Sequence, residues 1–134
     1  VCTATPVHEP IVRREWVTPG CHINAMGADA HGKQELDTQI LLDSKVVIDD
    51  WGQACGSGEV NVPLDTGAMS RDHIHAALGE VITGLKTGRG SPDEITVFDS
   101  TGLAVQDLAL ARVIYKQARR AGVGLEVDFV SGTA

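Results

Sequence analysis

The stretch over residues 19–37, PGCHINAMGADAHGKQELD, constrains the fold more than any other part of the chain. A Pro-Gly turn leads into residues 23–26, an apolar run interrupted only by Asn24. A short apolar run between turn residues suits a strand covered on both faces, as the strands of a parallel sheet are. Gly27 and the small Ala28 come next, then Asp29, a turn at His31-Gly32, and Lys33, after which the pattern becomes helical. An acid and a base four residues apart thus leave the end of a buried strand. In open α/β sheets, ligands bind in the crevice beyond the carboxyl ends of the strands. Asp29 and Lys33 are candidate site residues by position, and an ordinary ion pair on a surface loop is the competing reading.

A second unit repeats the arrangement. Residues 94–99, EITVFD, form the clearest strand pattern, followed at once by Ser100-Thr101-Gly102 and a helical segment over residues 103–121. In that segment Ala104, Leu108, Ala111, Tyr115 and Ala118 recur at spacings of four and three. Arg119 and Arg120 fall in its last turn, and Gly122 is a fitting stop. Ser100 or Thr101 can cap the helix, whose free backbone N–H groups would attract a phosphate or carboxylate; a cap with no ligand is the alternative.

The remaining chain is read more coarsely. Residues 1–4 resemble the tail of a buried strand, and Pro6 and Pro10 keep the adjoining segment extended. A helix is expected over residues 35–42 and a strand at KVVI, residues 45–48, ending in Asp49-Asp50. Residues 54–63 carry Gly56, Gly58 and Pro63 and are predicted as a loop with at most one helical turn. Asp72 is expected to cap a helix over residues 73–85, with Ile74, Leu78, Val81 and Ile82 on one face. Residues 88–92 break the pattern, and residues 125–130 alternate as a last strand. The abrupt opening at Val1-Cys2-Thr3 reads as the start of a C-terminal piece of a longer protein.

Composition narrows the function. Fifteen glycines and 4% aromatic residues favour close backbone packing in an α/β fold over a sandwich of aromatic pairs. A net charge of −7 counts against duplex DNA and anionic membranes as partners. The three widely spaced cysteines read as buried small side chains in a reducing cytosol. His73 and His75 point to different sides of the expected helix, and Cys21 and His22 alternate across a strand, so no pair has the spacing of a zinc site. No metal is expected. There is no G-x-S-x-G elbow, and Gly56-x-Gly58 follows no strand and lacks the third glycine of a dinucleotide fingerprint. Asp49, Asp50 and Glu59 are conceivable acid–base groups that caps or solvation explain equally well, and His31, close to Asp29, reads as a solvated loop histidine. The residues alone reach an α/β domain with a polar site at its strand ends.

Five blocks in order, HINAMGADAHGKQELD, KVVIDD, GEVNVP, LGEVITGLKTGR and DEITVFDSTGLAVQD, resemble the ornithine cyclodeaminase and mu-crystallin family along nearly the whole chain. Within that family the likeness is closest to the archaeal-type alanine dehydrogenase branch. The resemblance implies that residues 1–101 are the second half of a Rossmann-type NAD(P)-binding domain. Residues 102–134 would then return to a substrate and dimerisation domain. The glycine-rich turn, the ribose-binding acid and the Arg and Lys residues that hold the substrate carboxylate would lie upstream.

Carried over by matching motif, Asp29 corresponds to the family's catalytic Asp. Thr3, Ile23, Asn24, Ala25, Met26, Lys33 and Ser100 match positions that contact the cofactor, NAD or NADP, and Thr101 matches one near the substrate. His31 stands where relatives commonly have Pro. The implied chemistry is hydride transfer from the Cα of a small L-amino acid, with Asp29 serving the attack on the resulting imine. Water as nucleophile gives alanine dehydrogenase chemistry, pyruvate and ammonia. The substrate's own δ-amine gives ornithine cyclodeaminase chemistry, proline and ammonia. A cyclic-imine reductase and a non-catalytic, crystallin-like binding protein are the other readings the family offers, and the intact Asp29, Lys33 and FDSTG set argues against the last. The resemblance further implies a homodimer with an amino-acid substrate, while the cysteines point to the cytoplasm and the acidic charge leaves neither nucleic acid nor membrane as an expected partner.

Overall fold

The computed structural model describes residues 1–127, and the chain divides into two compact units at Gly102/Leu103. The first unit is built on five parallel strands: β1 (Cys2–Thr3), β2 (His22–Ala25), β3 (Lys45–Ile48), β4 (Ile74–Ala77) and β5 (Thr96–Asp99). They lie in the order β1-β2-β5-β3-β4. The fold is therefore α/β, as the sequence pattern indicates. Register puts Ile23, Val97, Val46 and Ile74 in one row across the sheet, and Thr3, Ala25, Asp99 and Ile48 in the next. These rows are buried. The alternate residues of β2, β3 and β5, among them His22, Asn24, Thr96 and Val47, are half-buried or exposed. The expectation of a central strand buried on both faces is corrected accordingly. Asn24 interrupts the apolar run because it stands, with His22, on this more open face, where the two side chains bond each other at 3.0 Å.

Four short helices complete the unit: α1 (Thr38–Leu42), α2 (Trp51–Ser57), α3 (Asn61–Asp65) and α4 (Leu78–Ile82). The core joins the buried strand rows to Leu36, Ile40, Leu41, Ala54 and Val60. Each of the larger side chains among these contributes about 1.5–3 kcal/mol by leaving water.

Several expected elements are corrected. The helix placed at residues 35–42 begins only at Thr38, where Asp37 caps it by accepting from Gln39 N at 3.1 Å. Its forerunner is extended instead, with Leu36 bridged in parallel to Val12. Residues 54–63 are largely helical. Asp50 caps α2 by accepting from the N–H groups of Gly52 and Gln53, both at 2.9 Å. Pro63 lies in the first turn of α3, where its missing N–H costs nothing. The helix expected at residues 73–85 is instead β4 followed by α4. Ile74 and Ala76 are buried while His75 and Ala77 are not, a period of two that pairing with β3 selects. His73 and His75 therefore share no helix.

The second unit contains α5 (Ala104–Ala121), which ends with Gly122 at φ +66° as a left-handed cap. Leu103, with no capping side-chain bond, occupies its N-cap, so neither Ser100 nor Thr101 caps it. Of the last expected strand, residues 125–127 are not extended in a sheet and residues 128–130 lie outside the described residues. The cysteines are free and none is fully buried: Cys2 is exposed on edge strand β1, and Cys21 and Cys55 are half-buried. Among the described residues no helix is long and apolar enough to cross a membrane.

Candidate active site

The carboxyl ends of β1, β2, β3 and β5 come together at one edge of the sheet, and the loops leaving them carry most of the predicted site residues. Each loop is tied down by a carboxylate. At β1 and β2 the carboxylate is that of Glu35. It accepts from Thr3 Oγ1 at 2.6 Å, Thr5 N at 2.6 Å, Thr5 Oγ1 at 2.7 Å and Gly27 N at 2.9 Å. Gly27 is needed for this approach, since a Cβ there would lie 2.4 Å from Thr5 N, Thr5 O and Glu35 Oε1. Burial pushes the Glu35 carboxyl up, but the hydrogen bonds from Thr3, Thr5 and Gly27 outweigh it and hold the group below its ordinary range.

Asp29 stands two residues beyond Gly27, and its Oδ1 accepts a hydrogen bond from Lys33 Nζ. That bond, with the charge of the ammonium, holds the Asp29 carboxyl below the usual carboxylate range. The Asp29 side chain is 59% exposed and that of Lys33 19%. The acid thus faces outward, ionised, with its partner tucked behind. The turn between them is anchored on α3. Asn61 Oδ1 accepts from Gly32 N at 2.8 Å while Asn61 Nδ2 donates to Lys33 O at 2.9 Å. His31 Nε2 meets Asp65 Oδ2 at 2.6 Å and His8 Nδ1 meets Gly32 O at 2.9 Å. His31 thus links the loop to Asp65 at the end of α3.

At β3 and β5 the tie is Asp49. Its Oδ2 accepts from Thr101 N at 2.7 Å, Ser100 Oγ at 3.1 Å, Thr101 Oγ1 at 3.1 Å and Gly102 N at 3.1 Å. The Ser100 and Thr101 hydroxyls are thereby committed to the protein. Any contact they make with a ligand uses their remaining lone pairs or the main chain.

Below this layer lie two buried acids. Glu59 accepts from Glu35 N at 2.9 Å and Leu36 N at 2.6 Å, and burial pushes its carboxyl up to about 8. Asp99, in the row between Ala25 and Ile48, accepts from Val60 N at 3.2 Å, and burial pushes it up to about 7. Its Oδ1 is buried with no hydrogen-bond partner. Gly58 makes room for it, because a Cβ there would lie 2.6 Å from Asp99 Oδ2.

The structure thus brings Thr3, Met26, Asp29, Lys33, Ser100 and Thr101 to neighbouring strand ends. Of the run Ile23, Asn24, Ala25 and Met26, the Met26 side chain is exposed at the strand end, whereas Ile23 and Ala25 point into the core. Sequence reading missed Glu35, Asn61 and the buried placement of Glu59. The available signal was weak: GEVN offers a charged and an amide residue inside an otherwise apolar block, and burial of such residues requires partners. Among the described residues no group of three or more His, Cys, Asp and Glu is arranged to hold a metal.

Comparison with known proteins shows what the whole chain is similar to. The sequence model described as the ornithine cyclodeaminase/mu-crystallin family matches residues 1–122. An alanine dehydrogenase from Archaeoglobus fulgidus is 53% identical over 127 residues, 95% of this chain and 39% of that protein. Among solved structures, an archaeal alanine dehydrogenase dimer with bound NAD superposes with a TM-score of 0.85 at 52% identity, covering 96% of this chain and 40% of that one. The Δ1-pyrroline-2-carboxylate reductase of Thermococcus litoralis, in complex with NADH and L-proline, superposes with a TM-score of 0.84 at 36% identity, over 94% of this chain and 39% of that one. The chain spans about two-fifths of the length of these relatives.

Proposed function

The chain belongs to the ornithine cyclodeaminase/mu-crystallin family, and on that premise we propose that it is the catalytic half-site of an NAD(P)-dependent enzyme oxidising a small L-amino acid, L-alanine, to its 2-oxo acid and ammonia. The observation that carries the reading is the ionised, outward-facing Asp29 paired to Lys33 on the loop leaving β2. The likeness to an archaeal alanine dehydrogenase over 95% of the chain supports the choice of substrate.

The residues present fit the nicotinamide end of the cofactor. Exposed Met26 offers an apolar contact at the end of β2, beside the closely packed main chain of Gly27 and Thr5. Bound there, NAD or NADP supplies the hydride acceptor that turns the amino acid into an imino acid. Asp29, kept ionised by Lys33, orients water toward the imine carbon and takes the proton that the attacking water sheds. A weakly basic carboxylate suffices, because water becomes strongly acidic as it adds to a protonated imine. Lys33 holds Asp29 in place and keeps its charge. Thr3 and Ser100, fixed by Glu35 and Asp49, set the strand ends against the cofactor, and Thr101 faces the substrate. Residues 1–101 are the second half of the dinucleotide-binding domain, and residues 102–134 belong to a substrate and dimerisation domain. The whole enzyme works as a cytoplasmic homodimer.

Cyclic-imine reduction is the second reading, favoured by the likeness to a pyrroline-carboxylate reductase at nearly the same TM-score. Cyclodeamination of ornithine would use the same Asp29 with an internal amine in place of water. Absorbance at the NADH band separates the three in the full protein carrying this chain. Net NADH from NAD and L-alanine supports the dehydrogenase, whereas NADH consumption with a cyclic imine, or proline and ammonia from L-ornithine without net NADH, transfers the assignment.

A further inference from the structure

Resting on the functional reading above, we propose that Glu35 is the positioning residue of the site, one buried carboxylate that sets the β1 end carrying Thr3 and the turn carrying Asp29 against each other. Glu35 is completely buried. Its two oxygens receive four donors from two separate loops: Thr3 Oγ1, Thr5 N and Thr5 Oγ1 from the end of β1 onward, and Gly27 N beyond β2. A carboxylate has about four acceptor sites, so Glu35 is saturated and has no capacity left for proton transfer with a substrate. Its own main chain is fixed in turn, because Glu59 accepts from Glu35 N and Leu36 N. The chain Glu59–Glu35–Gly27 therefore runs from the core to within two residues of Asp29.

The geometry makes the isosteric amide a sharp probe. On the Oε1 side the carboxylate faces Thr5 N, and on the Oε2 side it faces Gly27 N. Hydroxyl donors can rotate to accept, but a backbone N–H cannot. In Glu35→Gln, whichever way the amide lies, its NH2 opposes one of those two N–H groups. One strand end must move away while the other stays. Shape and core volume are retained, so the change falls on the relative placement of Thr3 and Asp29.

The test uses the full protein carrying this chain, with hydrogen exchange, melting and steady-state kinetics measured on wild type, Glu35→Gln and Thr5→Ala. For Glu35→Gln the expected result is faster exchange at the amides of Thr5 and Gly27, and a kcat lower by about 10- to 100-fold, the cost of a misplaced reacting group. The KM for the amino acid should change less than about threefold, because substrate contacts are not removed. A purely structural Glu35 would lower the melting temperature and leave kcat per folded molecule unchanged, and that result would overturn the proposal. Should Glu35→Gln fail to fold, Thr5→Ala decides: it removes one donor only, and a several-fold fall in kcat supports positioning whereas wild-type kcat refutes it. If wild type turns over none of the substrates, the functional reading falls by itself. Exchange at residues 5 and 27 in Glu35→Gln still decides the positioning role, with unchanged protection counting against it.

Discussion

At the scale of single residues, the site is governed by which carboxyls are satisfied and which are merely enclosed. Asp29 and Glu35 are held low by donors; Glu59 and Asp99 are pushed up by burial. These two classes act oppositely on stability. A carboxyl whose folded value is lowered adds stability above its unfolded value and loses it as pH falls, so Asp29 and Glu35 matter in acid. Glu59 rises from 4.5 to about 8 and Asp99 from 3.8 to about 7. Across that window the folded protein holds protons the unfolded chain has released, so the free energy of unfolding falls as pH rises. Urea midpoints should therefore drop between pH 5 and about 8, and Glu59→Gln should flatten the decline. Midpoints that climb over the same range would show these acids to be ionised and compensated. In the proposed mechanism, catalysis depends on the other class. The acid limb due to Asp29 should lie below its ordinary value of 3.8, since Lys33 opposes its protonation.

At the scale of elements, close approach between strand ends decides the geometry. Gly27→Ala would drive a methyl to 2.4 Å from the main chain of Thr5 and from the Glu35 carboxylate. Overpacking of this kind costs about 1–3 kcal/mol, and thermal melts of the full protein check it; a wild-type melting temperature would mean that β1 can slide freely beside β2. Strands β3 and β5 could be read from sequence because β-branched runs such as KVVI and ITVF have one plausible state. β4 could not, since IHAA followed by LGEVI satisfies helical spacing equally well and only pairing with β3 selects extension. The same competition hid α2 and α3, where glycines and Pro63 suggest a loop until Asp50 is seen capping and Pro63 is seen in a first turn. The placement of Asp29 and Lys33 together at the end of β2 was legible from their position in the sequence. Glu35 was not, because nothing local distinguishes a glutamate that leads a helix from one that anchors two loops, the farther 30 to 32 residues away in sequence.

At the scale of the whole molecule, the chain presents the strand ends of an α/β sheet and spans about two-fifths of the length of its relatives. The full activity is accordingly assigned to the protein that carries it. The isolated 134-residue chain is expected to show no NAD-dependent turnover, and measurable NADH formation by it would refute the division of the cofactor site proposed above. The most direct test of the account is Asp29→Asn in the full protein, with L-alanine-dependent NADH formation and NADH binding by fluorescence measured side by side. Removal of the acid–base group should lower turnover by about 100-fold or more, with cofactor affinity nearly unchanged. A variant that keeps most of its activity would contradict the role given to Asp29, and with it the site built around the end of β2.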